Sequence, residues 1–174
     1  HSLRLQQSGQ DISVERVAPS CWEAELVNLD PVCLTYTLEA RQLTVRTNHL
    51  DPDFASLCLP AVVMLIDGER WNRHHLQLSL PTGWLGHLPL PRVDDGYEAK
   101  DFDHLVDAPV HAGPFYSRPF TVRGHHHELL TIGEPPMGWP PTFQADIEAV
   151  CEAACTLMGT PPPAGDCYQL VIQL

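Results

Sequence analysis

Over much of the first 133 residues, apolar side chains recur at every second position in short runs. Val32, Leu34, Tyr36 and Leu38 alternate with Cys33, Thr35, Thr37 and Glu39, Leu43 and Val45 with Thr44 and Arg46, and Leu76, Leu78 and Leu80 with Gln77 and Ser79. A period of two puts alternate side chains on opposite faces of a pleated strand, so each run predicts a half-buried strand. Residues 61–66, AVVMLI, are apolar without alternation, which predicts a strand covered on both faces and ended by the turn dipeptide Asp67-Gly68. Many short strands punctuated by Pro, Gly and Asp predict a mainly β fold, an antiparallel β-sandwich over residues 1–133.

The pattern then changes. Residues 134–142 contain Pro135, Pro136, Pro140 and Pro141 and read as a connector. Beyond it, Phe143, Ile147, Val150, Cys151, Ala154 and Met158 fall on one side of a 3.6-residue wheel while Asp146, Glu148 and Glu152 take the other. That spacing predicts an amphipathic helix over 143–158, with Thr142 placed to cap its start and Gly159 its end. Pro161, Pro162 and Pro163 block continuation, and Tyr168, Leu170, Ile172 and Leu174 alternate as a last strand. One helix and one strand cannot bury themselves alone, so 143–174 read as the start of a second domain rather than a clasp on the first.

One stretch invites a metal. Residues 124–133, GHHHELLTIG, set three histidines before a glutamate. The zinc-peptidase pattern His-Glu-x-x-His needs a second histidine four residues on, so that both imidazoles share one helix face. Counting from His127 lands on Thr131, and the motif fails. The flanking Phe120-Thr121-Val122-Arg123 and Leu130-Thr131-Ile132, separated by Gly124, predict a hairpin instead. On a strand only His125 and His127, not His126, share a face, and a solvated strand is the favoured reading over a two-histidine metal site.

Composition narrows the function classes. Twenty-two acidic residues against ten basic ones give a net charge of -12, with Lys100 the single lysine. Such a surface repels a phosphate backbone, so nucleic acid is not an expected partner. The longest apolar candidate, residues 57–66, is shorter than the roughly 18 to 20 residues a membrane helix needs and contains Pro60, so no membrane partner is expected. The six cysteines, Cys21, Cys33, Cys58, Cys151, Cys155 and Cys167, are dispersed and form no Cys-x-x-Cys pair. Free thiols in a reducing compartment are the expectation, and with no signal-peptide pattern in His1-Ser2-Leu3-Arg4 the location expected is cytoplasmic.

Three ordered segments carry a resemblance. They are residues 43–51, LTVRTNHLD; residues 81–84, PTGW; and residues 101–110, DFDHLVDAPV, with Gly113 shortly after. In this order, over roughly residues 30 to 174, they resemble the N-terminal half of the glycyl-aminopeptidase family, metallopeptidase family sixty-one. The resemblance implies a β-rich N-terminal domain followed by a thermolysin-like zinc catalytic domain that removes N-terminal residues from peptides. It implies as partners that C-terminal catalytic domain and the peptide substrate of the parent, with zinc expected in the catalytic domain and none in this chain. The family's His-Glu-x-x-His helix and further glutamate ligand match no position here, so no catalytic, cofactor-binding or metal residue is assigned. Ala108 stands where the family usually has serine.

Asp101, Asp103 and Asp107, with His104 and His111 nearby, could bind a metal, but aspartates before a short helical turn more often accept backbone N–H bonds, and capping is the favoured reading. Trp22, Trp71, Trp84 and Trp139 could form a stacking platform; packing is favoured. The expected function is thus a non-catalytic N-terminal domain that supports a peptidase domain or restricts access to it. The alternative is a free-standing sandwich module that binds a peptide, protein or glycan, in which 143–174 would share one closed core with 1–133.

Overall fold

A computed structural model describes residues 3–44, 46–162 and 167–174. The chain divides into two compact units, His1–Glu39 and Ala40–Leu174.

In the first unit, β1 (Leu3–Gln7), β2 (Gln10–Ile12), β3 (Glu15–Ala18), β4 (Cys21–Glu23) and β5 (Val32–Tyr36) form an antiparallel sheet of order β2-β1-β5 and a β3-β4 ribbon. The β1–β2 turn is made by Ser8 and Gly9, both at positive φ, the backbone a two-residue hairpin turn requires. Gln7 is buried, and its amide donates to the carbonyls of Asn28 and Asp30 and accepts from Val27 N–H, fixing the loop that leads into β5.

The second unit opens with β6 (His49–Leu50) and β7 (Ala55–Leu57), followed by a 3-10 turn at Leu59–Ala61. Then come β8 (His74–Leu76), β9 (Leu85–His87), β10 (Arg92–Val93), β11 (Gly96–Ala99), the short helix α1 (Phe102–Val106) and β12 (Val110–Gly113). They build two antiparallel sheets, β6-β7-β12-β9 and β10-β11-β8. Leu59, Leu90, Tyr97, Leu105 and Val110 are buried in one core, against which Val62, Val63, Leu76 and Leu78 pack.

The remaining elements are β13 (Tyr116–Val122), β14 (His125–Ile132), α2 (Phe143–Met158) and β15 (Cys167–Gln173). The predicted hairpin is present, turning at Arg123 and Gly124 with φ of 50° and 80°. β15 joins β14 in parallel, giving the order β13-β14-β15. α2 supplies a second core, in which Phe120, Val122 and Leu129 meet Cys151 and Cys155, with Phe143, Ile147, Leu170 and Ile172 at its margin. Arg123 pins helix to hairpin, reaching Glu152 at 2.7 Å and Thr156 at 2.6 Å.

The mainly β architecture, its antiparallel sheets and its one long helix follow the sequence pattern; several details differ. The hairpin 116–132 shares its sheet and core with the helix and last strand, not with the sheets before it, so a division at residue 133 would cut through one packed layer. The Leu43-Thr44-Val45-Arg46 run, of which Val45 lies outside the described residues, does not form a strand. Thr44 Oγ1 accepts from Arg46 N–H and Thr47 Oγ1 donates to the carbonyl of Gln42, so threonine hydroxyls close a loop where a ladder was expected. Residues 61–66 are not a strand either. Pro60 favours the helical turn at Leu59–Ala61, and the chain then runs irregularly to the Asp67-Gly68 turn with Ile66 exposed. β8 ends at Leu76, although Leu78 still packs on the core.

Helix α2 has the predicted bounds, and Gly159 ends it at φ 73°. Thr142 does not cap it, since its hydroxyl donates to the Asp146 carboxylate at 2.9 Å instead. The i, i+4 row Phe143, Ile147, Cys151 and Cys155 supplies the helix's apolar packing on the sheet. The neighbouring row is left outside, with Val150 65% and Met158 73% exposed beside Leu157 at 86%.

Candidate functional site

The residues that invited a catalytic or metal reading are spread over separate structural roles. His127 is 2% exposed, with ring centroids 5.0 Å from Phe120 and 5.5 Å from Tyr168, and its Nδ1 lies 3.0 Å from the His125 carbonyl. His125 and His126 are exposed strand positions. Asp101 is the N-cap of α1, accepting from His104 N–H at 2.7 Å. Asp103 pairs with Arg70 at 2.9 Å, and the N–H of Asp107 closes the last turn of α1 on the Asp103 carbonyl. Each tryptophan has its own neighbour: Trp22 lies under Arg16, Trp71 under Arg70, Trp139 stacks on Phe143 at 4.2 Å, and Trp84 lines a cleft. All six cysteines are free thiols, and Cys151 and Cys155 sit in the second core as small packing residues.

No group of three or more His, Cys, Asp or Glu side chains is gathered tightly enough to hold a metal ion among the described residues. Neither the sequence nor this geometry fits the zinc centre that the resemblance places in a catalytic domain.

What the structure does gather is a junction. Three clefts lie where the β13-β14-β15 layer faces the elements that precede it. The largest, about 620 Å³, has Leu57, Leu59, Pro60 and His111 on one side and Val171 and Gln173 of β15 on the other. A second, about 270 Å³, sets His87, Arg92 and Tyr97 against Glu128 and Gln169. A third, about 350 Å³, sets Phe54 and Trp84 against Ile132, Gly133 and Leu174. Phe115, buried at the entrance to β13, packs edge-on against Phe54, His87 and His111 at 5.9 to 6.2 Å between centroids.

A polar chain crosses this junction. β12 and β9 set His111 directly opposite His87, and His87 Nδ1 stands 3.6 Å from Glu128 Oε1 on β14. Glu128 also accepts from Ser117 Oγ at 2.6 Å and Gln169 Nε2 at 2.7 Å. His87 and then these two shorter donors hold its carboxyl down at about 2, against the opposing effect of burial. Burial first and the adjacent His87 second push His111 down to about 4. Its Nδ1 is 3.3 Å from Ser56 Oγ, a serine–histidine pair in the wall of the largest cleft. An imidazole that gives up its proton so readily is a weak base at neutral pH, which makes the pair a poor source of an activated nucleophile. The sequence drew attention to Glu128 only as the glutamate of a failed zinc motif and did not single out His87, because their contact joins residues 41 positions apart on different sheets and no local spacing signals it.

A crystal structure of an aminopeptidase N family protein from Idiomarina loihiensis superposes with a TM-score of 0.87 at 22% identity, covering 99% of this chain and 30% of that one. The chain therefore shares its fold with under a third of that protein. Comparison with curated proteins gives no match. The family profile for the peptidase M61 N-terminal domain matches residues 1–114, ending just before Phe115 and β13. On that match, the chain belongs to the peptidase M61 N-terminal domain family.

Proposed function

We propose that this chain is the non-catalytic N-terminal region of an M61-type peptidase, and that it seats and orients a zinc-dependent peptidase domain and shapes access to it. One observation carries the reading: residues 116–174 form a layer with its own sheet and its own core, joined to the preceding sheets across a cleft-lined junction that begins where the family match ends. A free-standing module would close 143–174 into the same core as the preceding sheets, whereas here the helix row Val150, Leu157 and Met158 stays open to solvent. Apolar rows of this kind mark surfaces that another part of a protein covers. The peptidase domain would bring zinc to polarise the scissile carbonyl and activate water; the residues of this chain supply packing and position.

The test compares the 174-residue chain with a longer protein carrying the following domain, using a chromogenic aminoacyl substrate and metal analysis. Turnover and one bound zinc in the longer protein, with Val150→Asp or Leu157→Asp lowering its stability, support the reading. A longer protein unaffected by those substitutions removes the seating role.

A further inference from the structure

Where His87, Glu128 and Gln169 meet, the cleft of about 270 Å³ holds more acceptors than the protein supplies donors for. Gln169 Nε2 donates to Glu128 Oε2 at 2.7 Å, and since an ionised carboxylate only accepts, that bond fixes which way the amide is turned. Gln169 Oε1 is then left buried with no hydrogen-bond partner among the described residues. His87 turns Nδ1 toward Glu128 Oε1 at 3.6 Å, and its Nε2 is buried and equally unmet. In the neutral ring whose N–H faces the carboxylate, Nε2 is an acceptor. Two orphaned acceptors therefore flank one negative charge, and all three side chains line the same cleft. Buried acceptors without donors cost free energy, so what fits here brings N–H groups and positive charge.

The solvent side of the cleft has the opposite character. Arg92 is exposed there, its guanidinium 5.4 Å over the Tyr97 ring and its Nη2 donating to Tyr97 Oη at 3.1 Å. Tyr97 is buried and donates in turn to the Gly86 carbonyl at 3.0 Å, so the guanidinium is braced against a fixed ring. That contact uses one of the five N–H donors an arginine carries. Leu88 and Leu90, both buried, add an apolar wall. A metal cation would suit the acceptors but be repelled by Arg92, and a simple anion would suit Arg92 but be repelled by Glu128. A primary ammonium, with three donors on one centre, joined by a short link to a carboxylate satisfies both ends. The cleft is smaller than the roughly 300 to 1,000 Å³ of sites for larger ligands, which keeps the molecule small.

We propose that this cleft binds a free α-amino acid with an apolar side chain. Its ammonium sits among Glu128, Gln169 Oε1 and His87 Nε2, its carboxylate on Arg92 and its side chain against Leu88 and Leu90. The site is built from residues of this chain alone and goes beyond the peptidase reading, on which it does not depend.

Titration with leucine, followed by NMR at the Gln169 side-chain amide and the His87 ring in the 174-residue chain and in the longer protein, tests this. Both signals are expected to move together and to saturate. Leucinamide keeps the ammonium without the carboxylate, and isocaproate keeps the carboxylate without the ammonium. Each should bind at least about tenfold more weakly than leucine, the loss expected for one charged contact. Arg92→Met should weaken leucine by a similar factor and leave leucinamide unchanged. Should that variant not fold, the three ligands measured on the wild-type protein carry the same contrast. Shifts that grow linearly and never saturate, which mean binding at high concentration only, would overturn the proposal. So would isocaproate binding as tightly as leucine, or leucine binding unaltered by Arg92→Met. The readout is binding at named nuclei and not turnover, so a longer protein lacking peptidase activity would remove the peptidase reading and leave this one standing.

Discussion

His87 Nδ1 on β9 stands 3.6 Å from Glu128 Oε1 on β14, a polar contact that spans the junction between the β13-β14-β15 layer and the sheets before it. Ser117 and Gln169 donate to the Glu128 carboxylate and His87 stands beside it, so its neutral replacement is informative. Glu128→Gln should lower the unfolding free energy by about 1–3 kcal/mol, as expected for losing a charged, partly buried acceptor. Because its folded carboxyl lies at about 2 against an ordinary 4.5, its contribution is complete above pH 4.5 and is lost as pH falls through 2. Urea unfolding of wild type and variant at pH 7, 4 and 2.5 measures this: the difference between them should shrink on acidification.

His111 works over a higher range. Burial and His87 hold its folded value at about 4 against an ordinary 6.5, so the fold favours the neutral ring. That contribution is complete above pH 6.5 and declines as pH falls toward 4, where the unfolded chain is protonated first. His111→Gln should remove this share of the acid sensitivity, on the order of 2 kcal/mol between pH 7 and 4. A histidine NMR titration that places the His111 midpoint near 6.5 would contradict the burial argument.

Gly96 offers a steric test. A Cβ at this position would run into the backbone carbonyl of Leu76 on the paired strand β8 and approach His75 Nε2 at 3.1 Å. The His75 ring can swing aside, but the Leu76 carbonyl cannot yield without disturbing the β11–β8 ladder, so Gly96→Ala should destabilise the chain by about 2–4 kcal/mol, a value typical of backbone clashes in a packed sheet. Thermal unfolding followed by circular dichroism measures it, with Gly68→Ala, at a turn with open space around it, as the milder comparison.

Much of the fold is legible in the sequence because it rests on local chemistry. The 3.6-residue row from Phe143 to Cys155 sets the helix with its bounds, Gly124 sets the hairpin turn, and Asp101 caps α1 as aspartates before short helices do. Where the pattern misleads, a side chain or a proline competes with the ladder: threonine hydroxyls close the 42–47 loop and Pro60 bends an apolar run into a turn. Periodicity also cannot say which apolar row of a helix a sheet will touch, which is why Val150 and Met158 are exposed. The junction was not legible at all, since His87, Glu128 and Gln169 meet only after three strands have paired.

On the proposed function, these residues seat a peptidase domain that holds the active centre. Metal content and hydrolysis of an aminoacyl substrate, measured side by side on the 174-residue chain and on the longer protein, test it most directly. One zinc per molecule and turnover are expected in the longer protein, and neither in the 174-residue chain. Tight stoichiometric zinc with turnover in the 174-residue chain alone would contradict it.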